Sequence, residues 1–280
     1  MSDQCIHYPI KVLCEHLKIS TGGYYAWRCR KPSVRLGEDQ RLLEQIRRIY
    51  TASHEAYGSP RVHQALRYQG IFVSRKRVER LMREAGLQGR IRQVYRNIAR
   101  KHPTHLKTGN KRLELPKPTG PDQHWAADLT YIRHQGRWFY LVAVLDLYSR
   151  KIVGWSMGWR KTTGLTSKAI RGALEQRQPA PGLIFHTDRG VEFVSYEVQR
   201  ILHAYDAQPS MNRAGQCTDN AEMESFFHSF KAEWIKNRYF SSERNLRAAI
   251  KDYIQDFYNP RRLHSSLGYR SPDEFEAMAL

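Results

Sequence analysis

Three apolar runs follow one another between His124 and Gly158 with almost no chain to spare between them: HWAADLTYI (124–132), WFYLVAVLDLYSR (138–150) and KIVGWSMG (151–158). Gly136 marks the first turn and Tyr148-Ser149-Arg150 the second. Parallel neighbours need a crossover of a dozen residues or more, so connections this short predict an antiparallel three-strand meander. Beyond it the pattern alternates. A helix is expected over 165–176, a strand over 183–188 (LIFHTD) and a helix over 195–204. The short, apolar-poor segment 208–211 follows, then a helix from about Asn220. The order βββαβαβα predicts an α/β fold on a mixed sheet.

Two acids sit where acids are costly. Asp128 lies inside the first run, among Trp125, Ala126, Ala127 and Leu129, although Asp is depleted in strands. Asp188 ends the later strand in HTDRG, where the chain turns at Gly190. A carboxylate on or ending a buried strand needs a partner or a cation. Asp146 is a rival, late in an equally apolar strand, but Arg150 follows closely and Asp146 is read as a structural strand-end acid.

The front of the chain is helical and basic. Residues 1–120 hold 25 Lys and Arg against 9 Asp and Glu, whereas residues 121–280 hold 21 against 18, within a net charge of +19. Such asymmetry points to a polyanion, nucleic acid before membrane. A short helix is expected around Val12, Leu13, His16 and Leu17, with Gly22-Gly23 read as a turn. A second is expected from Glu38 with Leu42, Leu43, Ile46, Ile49 and Tyr50 on one face, and a third over 60–69 with Pro60 in its first turn. Ser74 is expected to cap a helix over 75–85.

Arg75, Lys76 and Arg77 fill the first turn of that last helix, where the macrodipole penalises each cation by roughly 0.3–1 kcal/mol. In a helix-turn-helix the start of the second helix enters the major groove, which accounts for them; Arg80 lies on the same helix. Residues 91–120 lose periodicity and read as a basic linker. His102 and His105 share a His-x-x-His spacing, but metal ligation is the weaker reading, because Pro103 interrupts it and no Cys pair follows.

Composition narrows the class further. With 41% hydrophobic and 26% charged residues the chain is globular, and its four cysteines form no Cys-x-x-Cys pair. No apolar run approaches a membrane span, and the first residues lack the basic start and cleavage site of a signal peptide. A reducing cytoplasm fits.

The helix from Asn220 poses a choice, since Thr218–Trp234 (TDNAEMESFFHSFKAEW) holds Glu222, Glu224 and Glu233. Thirty-five residues separate Asp188 from Glu224. Asp128-Leu129-Thr130-Tyr131-Ile132, His186-Thr187-Asp188-Arg189-Gly190 and Asn220–Phe227 together resemble the integrase-type catalytic core. More narrowly they resemble the second-reading-frame transposases of bacterial insertion sequences. Tyr258–His264 (YNPRRLH) and Leu267–Pro272 (LGYRSP) are similar to that family's closing motif, and the likeness extends over nearly the whole chain.

The resemblance implies an RNase H-like core in which Asp128, Asp188 and Glu224 converge as catalytic and metal-holding acids. Three carboxylates placed together repel one another and favour a divalent cation, and hard oxygen donors suit Mg²⁺ or Mn²⁺. Two ions, with Asp128 bridging, would activate a nucleophilic hydroxyl and stabilise a leaving 3′ oxygen. His228 and Lys231 share the Glu224 face by spacing. The family's frequent cation seven residues after its glutamate makes Lys231 a DNA contact and His228 a weaker one. Glu222 and Glu233 are left as ordinary helix carboxylates, Phe226 and Phe230 as core, and Arg262 and His264 as locks holding the tail against the core. Ser271–Glu274 reads as a capping box.

The expected organisation is a helix-turn-helix region over 1–90, a basic linker over 91–120, the catalytic core over 121–240 and a helical tail over 241–280. Expected partners are double-stranded DNA, as element terminal inverted repeats and target, and further copies of the chain on that DNA. A fusion partner from an upstream frame is also expected, and the nucleoid is the expected location. Two other functions stay open at this point: a DNA-binding regulator with a decayed core, and a metal-dependent nuclease that only hydrolyses.

Overall fold

A computed structural model describes residues 9–29, 33–90, 109–213, 220–236 and 238–279. Cys5, Cys217, His102, His105 and the expected linker as far as residue 108 lie outside the described residues. The chain separates into two compact units, one up to Arg48 and one from Ile49 onward.

The first unit contains α1 (Ile10–His16), α2 (Thr21–Arg28) and the start of α3 (Val34–Ala52). The Gly22-Gly23 pair is helical, not a turn. Ser20 Oγ accepts from Gly23 N at 3.0 Å, and that cap starts α2 ahead of the glycines despite their low propensity. Cys14 and Tyr24 are buried here.

The second unit opens with the end of α3 and a helix pair, α4 (Ser59–Tyr68) and α5 (Arg75–Glu84). Pro60 occupies the first turn of α4, and Ser74 caps α5 by accepting from Arg77 N at 3.3 Å. Val62, Leu66, Val78, Leu81 and Met82 are buried, as the helical period requires. A short α6 (Lys111–Glu114) precedes the sheet.

β1 (His124–His134), β2 (Arg137–Asp146) and β3 (Ile152–Gly158) form the antiparallel meander. α7 (Thr163–Arg177) crosses to β4 (Ile184–Thr187), and α8 (Tyr196–Ala204) leads to β5 (Gln208–Met211). Both later strands run parallel to β1, giving the order β3-β2-β1-β4-β5. Pro209 is tolerated because β5 is an edge strand.

Residue alternation assigns the two faces. Trp125, Ala127, Val142, Val144 and Phe185 meet Ile170 and Leu174 of α7 and Val198 and Leu202 of α8 in one core. Gly154 permits this closeness, since a Cβ there would stand 2.6 Å from the Ala169 carbonyl oxygen and from Ala173 Cβ. The opposite face carries Asp128 and meets α9 (Ala221–Phe230), which packs on β1.

After α9 the backbone widens into a π-helical turn over Lys231–Ile235. α10 (Glu243–Asp252) passes into another over Tyr253–Tyr258, and α11 (Pro272–Ala277) closes the chain behind the expected capping box. Tyr57 hydroxyl donates to Arg261 O at 3.1 Å and accepts from Leu263 N at 2.8 Å. Tyr68 hydroxyl donates to Tyr269 O at 3.2 Å, so the helix pair and the tail are joined within this unit. Among the described residues no helix is long and apolar enough to cross a membrane.

Candidate active site

β1 and β4 run parallel with Ala126 opposite His186 and Ala127 opposite Thr187. Asp128 follows Ala127 within β1, and Asp188 is the first residue past the end of β4, so the paired register brings the two acids to neighbouring positions, and the charge of Asp188 acts on Asp128. A buried network fixes the end of β4. His186 Nδ1 lies 2.9 Å from Ser210 Oγ and its Nε2 2.6 Å from Asn212 Oδ1, while Arg189 Nε donates to Asn212 O at 2.8 Å. Asp188 Oδ1 accepts from Gly190 N at 2.9 Å, and Asp128 Oδ1 from Leu129 N at 2.7 Å.

Glu224 comes from the first turn of α9, where an acid suits the helix dipole. Asn220 Nδ2, just before that turn, donates to Ala127 O at 3.4 Å and ties the helix to the strand bearing Asp128. The electrostatics register the gathering of charge. Burial and then the charge of Asp188, with further contributions from Glu224 and Glu192, push the Asp128 carboxyl up to about 8. Partial desolvation raises Glu224 as well.

Glu192 was not legible in the sequence. It is buried at 4% exposure, four residues after Asp188, and Lys161 Nζ stands 2.8 Å from its Oε1. Its Oε2 is buried with no hydrogen-bond partner among the described residues. A Cβ on Gly190 would fall 2.7 Å from Glu192 Oε1 and 2.9 Å from Asp188 Oδ1, so the glycine makes room for both carboxylates. Burial works against the Lys161 ammonium, yet the hydrogen bond and charge of Glu192, together with the charge of Asp188, hold it above its ordinary value.

Of the expected contacts on the glutamate helix, Lys231 lies over Tyr131 of β1. Its ammonium lies 4.9 Å from the Tyr131 ring centroid, and burial lowers its pKa against the opposing pull of Asp128. His228 is half-buried in α9. Arg75, Lys76, Arg77 and Arg80 stand on α5, with Arg75 and Lys76 exposed and Arg80 paired to Glu84 at 3.0 Å.

Asp146 is structural, as expected. It is fully buried and accepts from Asp122 N, Tyr148 N, Ser149 N and Ser149 Oγ, which closes the β2–β3 turn. The other two glutamates of the helix are not ordinary solvated carboxylates. Glu222 binds Arg112 at 2.6 Å and Arg150 at 3.3 Å, and Glu233 takes Arg262 Nε at 2.7 Å and Nη2 at 2.6 Å. Helical period assigned them to a face, but the elements that cover that face come from distant parts of the chain.

The donor set fits a hard divalent cation: every candidate ligand is a carboxylate oxygen, and the charges of Asp188, Glu224 and Glu192 all act on Asp128. Among the described residues no three His, Cys, Asp or Glu side chains form a ready-made cage. Asp128, Asp188 and Glu224 therefore do not stand close enough in this structure to form a closed set of three ligands.

Comparison with known proteins agrees with this architecture. An integrase core domain family matches residues 118–217, a second integrase core domain family matches 205–272, and an HTH-like domain family matches 38–95. Transposase InsF for insertion sequence IS3A of Escherichia coli (strain K12) is 36% identical over 273 residues, covering 96% of this chain and 94% of the relative. The insertion element IS600 uncharacterized 31 kDa protein of Shigella sonnei is 36% identical over 263 residues, covering 94% and 97%. Among solved structures, the HTLV-2 integrase catalytic core domain in complex with magnesium is a distant likeness. It has a TM-score of 0.43 and 16% identity over 56% of this chain and 98% of that one. With identity to InsF sustained from the helix pair through the sheet to the closing tail, the chain belongs to the family of insertion-sequence transposases with an integrase-type catalytic core.

Proposed function

We propose that the protein, as a DNA transposase, cleaves DNA at the ends of an insertion sequence and joins the freed 3′-hydroxyl to another phosphodiester, with Asp128, Asp188 and Glu224 as its catalytic acids. The observation that carries the assignment is the parallel register of β1 and β4, which ends one residue short of Asp128 and Asp188, with the charges of Asp188 and Glu224 both acting on the Asp128 carboxyl. These three would hold Mg²⁺ or Mn²⁺, as two ions. When bound, such ions neutralise charge on the reacting phosphate and lower the pKa of the attacking hydroxyl or water.

The chain's own residues orient the reaction. Asp128, protonated near neutral pH, would release that proton when it holds a cation, and the His186–Ser210–Asn212 network fixes the end of β4 from which Asp188 follows. Lys231, over the Tyr131 ring and within the electrostatic reach of Asp128, would grip a phosphate next to the reacting one with its ammonium. Arg75, Lys76, Arg77 and Arg80 on α5 would read or grip the terminal repeats, with His228 a lesser contact. A helix-turn-helix module ahead of the catalytic core and its tail is the working organisation. The chain would act as a multimer on paired ends in the nucleoid, with or without a fused product of an upstream frame.

Incubation with end-containing DNA and Mg²⁺ tests the reading. Joined products are expected, and Asp188→Asn should abolish them while DNA binding persists. Nicked ends alone would support a hydrolytic nuclease, and DNA bound but uncut would support a regulator. Joining that survives Asp188→Asn would overturn the site assignment.

A further inference from the structure

A cavity of about 280 Å³ opens beside α9 on the flank away from Glu224, lined by Arg61, Arg150, Arg262, His264 and Ser266 with Glu222 at its edge. Its charges do not balance. Arg262 is matched by Glu233, which takes two of its N–H groups. Arg150 is matched by Glu222, which also takes Arg112. Arg61 donates Nε to Leu263 O at 2.9 Å and lies over the Tyr57 ring, and among the described residues it forms no ion pair. The three guanidiniums that line the cavity, Arg61, Arg150 and Arg262, therefore exceed the carboxylates paired with them, Glu222 and Glu233, by one.

Half-buried guanidiniums without matching charge are costly unless an anion joins them. Burial and neighbouring guanidiniums act against further charge on the lining groups. Burial, then Arg262, lowers Arg61, and burial together with Arg112 lowers Arg150. Burial, then Arg262, Arg61 and Arg150, holds His264 well below the usual histidine range, so the ring is neutral and adds no charge of its own.

We propose that this cavity is a phosphate-binding site that takes a backbone phosphate of DNA. Guanidinium forks match phosphate oxygens, and the Ser266 hydroxyl supplies a neutral donor on an exposed turn. The volume falls at the small end of ligand clefts, which run from roughly 300 Å³ upward, so it admits one phosphate group with its sugar and not a duplex groove. Arg61 comes from α4, Glu222 from α9, and Arg262 and His264 from the tail. A phosphate seated there would brace the catalytic helix against the helix pair from the flank away from Glu224. The phosphate site stands on the cavity and the charges that line it; the choice of DNA as its source rests on the transposase reading.

The test uses the full chain, with inorganic phosphate as the first probe and end-containing DNA as the second. Phosphate should raise the melting temperature and shift the His264 ring resonances in NMR spectra. Ser266→Asp, which places a carboxylate in the cavity from an exposed position, should weaken phosphate binding and DNA-end binding by about tenfold or more. Arg61→Met should do the same; should it fail to fold, Ser266→Asp decides. A wild-type protein whose His264 resonances ignore phosphate, or an equal response in Ser266→Asp, would overturn the site. Phosphate binding abolished in Ser266→Asp with DNA affinity unchanged would keep the site and overturn DNA as its source. Joining that survives Asp188→Asn would sink the catalytic assignment and leave the phosphate measurements standing.

Discussion

The ammonium of Lys161, at the foot of α7, lies 2.8 Å from a Glu192 carboxylate that is otherwise buried beside Asp188. The pair is lopsided: the lysine side chain is 46% exposed and the glutamate 5%. Removing the lysine strands a buried charge, whereas neutralising the glutamate strands only a solvated one. Lys161→Met should therefore destabilise the second unit by about 1–3 kcal/mol after allowance for solvent at the lysine. Glu192→Gln should cost less, and the double replacement should recover part of the loss. Urea unfolding of the three variants checks this; equal losses for both single variants would contradict it.

Asp128 makes metal-free stability depend on pH. Its folded pKa, about 8, lies above the ordinary aspartate value of 3.8, so the folded state holds a proton that the unfolded chain has released. Stability from this group is fully present below about pH 4 and is lost as pH rises through 8, at up to about 1.4 kcal/mol per pH unit. Asp128→Asn cannot ionise and should be the more stable protein at pH 8 in EDTA, with little difference at pH 4. Thermal melts at the two pH values measure it. A wild-type chain that gains stability relative to the variant on going to pH 8 would show that the acids do not crowd one another.

How much of this could be read beforehand depended on whether the cause was local. The meander followed from apolar runs with no room for crossovers, and Asp128 and Asp188 stood out because strands exclude acids. Counting from Asp188 then chose Glu224 among three helix glutamates, once the resemblance gave the count a meaning. Gly22-Gly23 misled because composition outweighed the Ser20 cap next to it. Glu192 and Lys161 left no trace, since they meet only when the turn after β4 folds back toward the start of α7. Glu222 and Glu233 looked solvated because helical period says which residues share a face and not what arrives to cover it. Their partners Arg112, Arg150 and Arg262 lie far along the chain. The π-helical turn over Lys231–Ile235 is likewise silent in a pattern of apolar residues.

Glu233 and Arg262 fasten the catalytic helix to the tail. Their side chains are 7% and 4% exposed and are joined by two bonds, and Tyr253 hydroxyl lies 3.3 Å from Glu233 Oε2. Breaking such a pair leaves one buried charge unmatched, a loss of about 3–5 kcal/mol. Arg262→Met and Glu233→Gln should each unfold at markedly lower urea, and Glu233→Met with Arg262→Met together should cost less than either loss suggests. Because His264 is held neutral partly by Arg262, Arg262→Met should also raise the histidine's pKa, which NMR titration would read. A variant as stable as the parent would mean that the tail is held elsewhere.

The first turn of α5 sets two quantities in opposition. Arg75 and Lys76 are exposed at the positive end of the helix dipole, and the turn holds no acid. Replacing either by Gln should stabilise the second unit by about 0.3–1 kcal/mol. If these cations neutralise DNA phosphates, the same replacements should weaken binding to any sequence. They should also flatten the dependence of log K on log salt by about 0.9 for each phosphate no longer neutralised. Arg80→Gln should change the slope less, because its guanidinium already engages Glu84 at 3.0 Å. Chemical unfolding and salt-titrated DNA binding of the same variants give both readings. Stability that rises while the salt slope stays fixed would take α5 out of the DNA interface and leave its cations without a function.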